Sequence, residues 1–206
     1  MARTTAAQFA TLAARLSEAK DLAYTAELSP LFTYNKRLYV YEAAYLLGFS
    51  AWEVFLERTT LSYLCGYAYC GVRISRIPAA PYFPSASAAL AYLLVKKNKD
   101  YFLWHGSTEV KKRVREFLVN CPVADVISSA EVTLKDYSAV RHHVAHRSAD
   151  TKVKFEAAAN RLAVLPNCGG RAGRFLRISH VDPHSGAQTR WLHIILDDLE
   201  RLAQQM

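Results

Sequence analysis

Seven consecutive residues, from Arg141 to Arg147, place three of the chain's seven histidines between two arginines. Histidine exchanges a proton near neutral pH, and the arginine guanidinium is a charged fork that matches phosphate oxygens. These groups suffice to cut RNA without a metal. The ribose 2′-hydroxyl attacks phosphorus after losing its proton to a base, and the 5′-oxygen leaves with a proton from an acid. The segment is therefore the first candidate for a catalytic site.

The spacing of Arg141 and His146 limits how the two side chains can meet. Residues five apart on an α-helix point about 140° away from each other. They could meet if the helix ends near His146, or if two copies of the helix face each other across a two-fold axis. A two-fold interface is the commonest oligomeric arrangement, so the spacing favours a dimeric site.

Two other interpretations of the histidine cluster stay open at this point. His142 and His146, or His143 and His146, share a helix face and could bind zinc if a third ligand were near. The candidates for that third ligand are Asp150, Cys168 and His180. Alternatively, the cluster is a solvated helix end whose cations favour the helix dipole and cap the last carbonyl groups.

The charge distribution points to an anionic partner. The chain carries a formal net charge of +8, and residues 96–177 hold sixteen Lys and Arg against eight Asp and Glu, whereas the remainder has ten of each. Such a region suits nucleic acid or an anionic membrane surface, although it could also serve solubility alone. The basic helix that contains Lys111, Lys112 and Arg115 could follow an RNA backbone or form a solvated face.

The rest of the composition is that of a cytoplasmic protein. Hydrophobic residues make up 51% of the chain, which is ample for a packed core. The N-terminus lacks the apolar segment of a signal peptide, and no apolar run is long enough to span a membrane. The four cysteines are sparse and without a CxxC pair, so we expect reduced thiols.

Apolar periodicity predicts an all-α domain, a helical bundle with a small β-hairpin near the C-terminus. The predicted helices cover residues 4–23, 38–66, 87–97, 108–120, 124–146, 151–163 and 194–205. Gly48 could bend or divide the second helix. A proline-rich loop is expected at 71–87. Phe175 to His180 alternates like a strand, and 189–192 could pair with it. The glycine-rich break at 165–174 is expected to be a linker, or an anion-binding nest.

Two segments together resemble the HEPN superfamily. Arg141-His142-x-x-x-His146 is similar to its R-x4-H signature, in which a polar residue follows the arginine. The motif also ends a predicted long helix, is followed by Arg147-Ser148, and precedes another helix. Upstream, the segment from Phe49 to Glu57 resembles a helical core segment of prokaryotic HEPN proteins. The resemblance covers roughly residues 38–162.

The resemblance implies one HEPN-like domain over 1–206, with a core at about 38–163 and an appendage at about 165–206. It also implies a homodimeric, metal-independent endoribonuclease without cofactors, often a toxin or antiviral effector regulated by an antitoxin or other protein. Arg141 and His146 would be the catalytic pair. His142, His143 and Glu53 would support them, Glu53 by orienting Arg141. Further contacts to RNA would come from Arg147, Lys111, Lys112 and Arg115. The alternative is a non-catalytic HEPN-like module that binds RNA, nucleotide or protein.

Overall fold

Helices make up most of the described chain, which confirms the all-α prediction. The computed structural model describes residues 4–77, 81–97, 102–163 and 170–206. Across these residues the helices are α1 Ala6–Leu28, α2 Tyr34–Leu64, α3 Ala86–Lys97, α4 Ser107–Phe117, α5 Pro122–Ser129, α6 Glu131–His146, α7 Ala149–Ala163, α8 Ala172–Arg177 and α9 Trp191–Gln204. The strands are β1 Ala68–Tyr69, β2 Val72–Arg73, β3 Ser75–Arg76, β4 Leu118–Val119, β5 Ser179–Val181 and β6 Gln188–Arg190.

The strands form three antiparallel pairs within the described residues: β1 with β2, β3 with β4, and β5 with β6. Two short strands, β2 and β3, therefore lie where the sequence predicts a loop at 71–87, of which residues 78–80 lie outside the described residues. None of the described helices has the combination of length and apolar character that a membrane span requires.

The chain divides into two compact units, and the single HEPN-like domain over 1–206 stays a prediction. The first, here called the terminal unit, comprises residues 1–12, 52–131 and 202–206. The second, here called the motif unit, comprises residues 13–51 and 132–201 and contains the His-Arg cluster. The C-terminal segment supplies buried side chains to the motif unit, including Phe175, Leu176, Leu192, Ile195 and Leu199.

In the motif unit, hydrogen bonds from three other helices fix helix α6. The Tyr45 hydroxyl of α2 donates to the Tyr137 carbonyl at 2.7 Å. The Tyr137 hydroxyl donates to Oδ2 of Asp198 on α9 at 3.1 Å. Burial and the Asp198 carboxylate raise the pKa of Tyr137, so this hydroxyl stays a donor. The Arg161 guanidinium of α7 binds the buried Asp136 carboxylate through Nε and Nη2. Helix α6 is therefore a rigid support for the residues at its end.

Helix α2 runs without interruption through Gly48, where the sequence allowed a bend or division. A Cβ at position 48 would lie 2.4 Å from Cδ2 of Leu196 on α9. The glycine therefore serves close helix packing, and packing against α9 compensates for its low helix propensity.

The single helix predicted at 124–146 is wrong, because α5 and α6 are separated at Ala130. Ala130 has φ −103° and ψ 16°, outside the helical region. The hydroxyls of Ser128 and Ser129 donate to the carbonyls of Ala124 and Val126 at 2.8 and 2.9 Å. Serine side chains that bind nearby carbonyls compete with the regular helical pattern. The two adjacent serines were the signal for this break.

The predicted strand at Phe175 to His180 is also wrong in its first half. Phe175 and Leu176 lie in helix α8 and are both buried, whereas a half-buried strand would place neighbouring side chains on opposite faces. The hairpin itself is confirmed, with its first strand beginning four residues later than predicted and its second one residue earlier. In it β5 and β6 pair Ser179 with Arg190 and Val181 with Gln188.

Glu27 of α1 connects to the C-terminal part of the motif unit through two arginines. Its Oε1 accepts from Nε of Arg177 at 2.6 Å and lies 2.9 Å from Nη1 of Arg190. The hydrogen bond from Arg177, aided by the charge of Arg190 and opposed by burial, lowers the pKa of Glu27 below its ordinary 4.5. The folded state therefore favours the ionised carboxylate.

We expect Glu27→Gln to reduce the acid sensitivity of folding. Because the folded-state pKa is depressed, the stabilisation is complete above the ordinary pKa of 4.5 and disappears as the pH falls through the folded value. Urea denaturation at about pH 7 and about pH 4 should therefore show a smaller loss of unfolding free energy in the variant than in wild type. The control is Glu18→Gln, which breaks an exposed pair with Arg15 and should change this loss little. If Glu27→Gln and Glu18→Gln lost the same unfolding free energy between the two pH values, the assignment of this acid sensitivity to Glu27 would be contradicted.

Candidate functional site

Helix α6 ends within the His-Arg cluster, as the motif predicts. His146 is its last residue and is exposed, and Arg147 follows in the left-handed region at φ 45°. The Arg147 amide still donates to the His143 carbonyl at 3.0 Å, which closes the last helical turn. The rings of His142 and His146 stack with centroids 5.9 Å apart. The exposed imidazole of His146 is therefore placed at the helix end, beside a second imidazole.

His143 is buried, and its ring connects helix α6 both to the first turn of α7 and to the residues that follow α7. Its Nε2 lies 2.8 Å from the Gly170 carbonyl, and its Nδ1 lies 3.4 Å from the Thr151 hydroxyl. Its ring stacks on Phe155 with centroids 4.9 Å apart. A carbonyl only accepts, so Nε2 carries a proton. Both ring nitrogens of His143 are therefore already engaged, and its supporting role beside Arg141 and His146 stays a prediction.

Helical geometry separates the cluster into different faces of α6. At about 100° per residue, Arg141 lies about 160° around α6 from His143, whereas Arg147, just past the helix end, lies on the same side as His143. Arg141 is half-buried, and its side chain has a partner in the structure. Arg141 and His146 thus keep the angular separation that motivated a two-fold site.

The face with His143 and Arg147 opens onto a cleft of about 390 Å³, here called the α6–α7 cleft. Its lining includes Glu42, His143, Arg147, Ser148, Lys152 and Arg171. Glu42 is a buried carboxylate at its base. One Glu42 oxygen accepts from the Arg147 guanidinium, and the other accepts from the Gly173 amide at 3.1 Å. The buried charge is therefore compensated on both oxygens.

No family model, curated protein or solved structure matches this chain.

Tyr39 of α2 brings two arginines of the cleft together. The guanidinium carbons of Arg147 and Arg171 lie 5.3 and 5.6 Å from the centroid of its ring. Arg171 also donates to Oδ1 of Asn35 at 3.0 Å. The aromatic ring offsets part of the repulsion between the two cations, because its face is electron-rich.

The predicted RNA-binding lysines and arginine of α4 belong to the terminal unit, and most have protein partners. Lys111 pairs with Glu131, whose other oxygen accepts from Thr108 at 3.1 Å. Arg115 donates to the Ser128 hydroxyl at 3.2 Å. Lys112 lines a smaller cleft of about 180 Å³. Lys112 and Arg115 are exposed, whereas Lys111 is half-buried, and the contacts of all three with RNA stay predictions.

The small cleft beside Lys112 contains a cation on an aromatic platform. The Arg113 guanidinium carbon lies 4.0 Å from the Phe102 ring centroid and 4.7 Å from that of Trp104. Burial lowers the pKa of Arg113 from its ordinary value, although nearby carboxylates, Glu109 first among them, oppose this. These contacts tie Arg113 to the fold of the terminal unit.

Glu53 also belongs to the terminal unit, where its Oε1 lies 3.2 Å from Nδ1 of His105. Both side chains are largely buried. This pairing partner was not foreseen from the sequence, in which His105 stands alone between Trp104 and Gly106. The role of Glu53 in orienting Arg141 stays a prediction.

The zinc interpretation finds no support among the residues that the structure describes. Within them, no three His, Cys, Asp or Glu residues come close enough to hold a metal ion. His142 and His146 do lie together, but Asp150 and His180 do not complete a group with them. Cys168, the other candidate third ligand, lies outside the described residues.

The sequence missed three residues of the α6–α7 cleft: Glu42, Lys152 and Arg171. Glu42 stands inside the apolar pattern of α2, where a carboxylate is unusual because burying a charge is costly. This carboxylate within an apolar pattern was the signal that could have indicated a polar site beside α2. Arg171 lies in the glycine-rich break that was expected to be a linker or a nest, and nothing in its spacing indicated a partner on α2.

Proposed function

We propose that this protein is a metal-independent endoribonuclease of the HEPN type, with Arg141 and His146 as its catalytic pair. The observation that carries the proposal is the placement of His146, an exposed imidazole at the end of a helix whose body is fixed by α2, α7 and α9. Catalytic groups need such a rigid support, because small displacements of a reacting group cost large factors in rate.

In the proposed reaction, His146 removes the proton from a ribose 2′-hydroxyl. The 2′-oxygen then attacks phosphorus, so that the P–O2′ bond forms and the P–O5′ bond breaks. The leaving 5′-oxygen takes a proton from an imidazolium. Arg141 binds the non-bridging oxygens and stabilises the charge that develops on them. The products are a 2′,3′-cyclic phosphate and a 5′-hydroxyl, and atoms and protons balance without a cofactor.

We propose further that two copies of the chain form the site across a two-fold axis. Arg141 and His146 point in different directions from one helix, whereas two facing copies of α6 would bring an arginine of one copy towards a histidine of the other. Each site then combines the arginine of one copy with the histidine of the other, and that histidine, protonated by the 2′-hydroxyl, returns the proton to the leaving 5′-oxygen. In this proposal RNA and a second copy are the partners, and a regulatory protein would be a further one.

The test is RNA cleavage in the presence of excess EDTA, followed by mass spectrometry of the fragment ends. The proposal requires 2′,3′-cyclic phosphate and 5′-hydroxyl ends, and it requires that 2′-deoxyribose at the cleaved position blocks the reaction, because the nucleophile is then missing. Cleavage that stops in EDTA and returns with zinc would instead support a metal site. RNA that binds but remains intact would support the non-catalytic module.

A further inference from the structure

The α6–α7 cleft has an excess of positive charge that its own fold does not neutralise. Among the residues that the structure describes, three cations line it, namely Arg147, Lys152 and Arg171, against one carboxylate, that of Glu42. Glu156 lies 3.8 Å from Lys152, but both side chains are substantially exposed and such pairs contribute little. Two positive charges in excess therefore face a concave, solvent-open site.

The backbone adds a further attraction for anions. Ser148 and Ala149 line the cleft, and they stand at the start of the 15-residue helix α7. The Ser148 hydroxyl accepts from the Thr151 amide at 3.2 Å, which caps this helix start. A helix N-terminus carries a partial positive charge and favours anions such as phosphate. Asp150, in the same first turn, pairs outward with Lys154 at 2.8 Å.

We propose that the α6–α7 cleft binds a phosphate group, separately from the Arg141–His146 pair. Guanidinium groups bind phosphate oxygens through paired N–H donors, and Arg171 uses one of its donors for Asn35. The volume of about 390 Å³ lies within the range of small-ligand sites. The phosphate is either that of a free monoester such as a nucleotide or that of an RNA backbone, and the proposal does not depend on RNA cleavage.

The experiment is a calorimetric titration of wild type and variants with three probes at constant ionic strength: inorganic phosphate, AMP and a 2′-O-methyl oligoribonucleotide that cannot be cleaved. We expect Arg171→Gln and Lys152→Gln each to weaken binding about tenfold or more, because a charge-assisted hydrogen bond is lost. Arg174→Gln and Lys36→Gln are the matched controls, since both residues are exposed and neither lines the cleft. The dissociation constants of these control variants should lie within about twofold of wild type, because charges away from the cleft are largely screened by salt.

The pattern among the probes identifies the source of the phosphate. Cleft-dependent binding of phosphate and AMP, with no cleft-dependent binding of the oligonucleotide, assigns a free monoester. The reverse pattern assigns an RNA backbone. The proposal is overturned if no probe binds, or if Arg171→Gln and Arg174→Gln bind every probe equally. Circular dichroism melting of each variant verifies that the fold is intact. Because no probe is cleaved, a failed nuclease proposal leaves this result unaffected.

Discussion

Replacing His146 with alanine should slow RNA cleavage by about 10²–10⁴-fold, the usual contribution of a positioned acid or base. Arg141→Ala should cost a similar factor, of about 10²–10³, because developing charge on the phosphate loses its counter-charge. The double variant should be little slower than the worse single one, since the two groups act on the same transition state. Initial rates on a fluorescent RNA substrate measure all three.

Matched controls exist within the motif unit. His184 is a partly exposed histidine that pairs with Asp198 at 3.3 Å, and Arg174 is an exposed arginine. His184→Ala and Arg174→Ala should cleave RNA at nearly the wild-type rate. An unchanged rate in His146→Ala would remove that residue from the mechanism.

A mixture of the two inactive variants tests whether the site is shared. A dimer of one Arg141→Ala chain and one His146→Ala chain keeps one arginine and one histidine, on different copies. If the groups act across a two-fold axis, mixing and re-equilibrating the variants restores cleavage well above either alone. If each chain carries its own complete site, the mixture stays as slow as its components.

Gly173→Ala should destabilise the motif unit by about 3–5 kcal/mol, from overpacking and a lost hydrogen bond to a charged group. A Cβ at this position would lie 2.2 Å from the Leu38 carbonyl oxygen and 2.8 Å from its carbon, which are backbone atoms that cannot rotate away. Helix α8 must then move from α2. That movement breaks the 3.1 Å hydrogen bond from the Gly173 amide to the buried Glu42 carboxylate.

The control for this substitution is Gly106→Ala. Gly106 precedes α4 at φ −83°, and the nearest atom to an added Cβ is 3.9 Å away. It should cost about 1 kcal/mol or less, the range of an N-cap exchange. Guanidinium denaturation followed by circular dichroism gives both free energies of unfolding. If Gly173→Ala matched Gly106→Ala, the close approach of α8 to α2 would be refuted.

The sequence was sufficient to predict those elements whose signals are local and periodic. Helices α3 and α7 were predicted to within two residues at each end, because helix caps and apolar spacing act within a few residues. The break at Ala130 was missed because serine is a weak helix breaker, and its effect depends on which carbonyl its hydroxyl reaches. Phe175 and Leu176 were misassigned because alternation over six residues is a poor guide when both side chains are buried.

The candidate site was predictable in composition and only partly in arrangement. The cluster itself was evident from residue types, and its placement at a helix end follows from Arg147 and the serine after it. The separate role of His143 was not evident from the sequence, because its partner Gly170 is 27 residues away along the chain. The contact of Glu42 with Arg147 spans 105 residues. A single sequence carries no local signal for such long-range pairs.

If the α6–α7 cleft binds phosphate as proposed, we expect Glu42 to make it selective among anions. It already occupies Arg147 and the Gly173 amide, so an incoming anion competes with a resident carboxylate for the same guanidinium. A weakly held monovalent ion such as chloride gains little from that exchange, whereas a phosphate oxygen group can engage Arg147, Lys152 and Arg171 together. In the proposed site, the Glu42 carboxylate should therefore favour phosphate over monovalent anions of the surrounding salt.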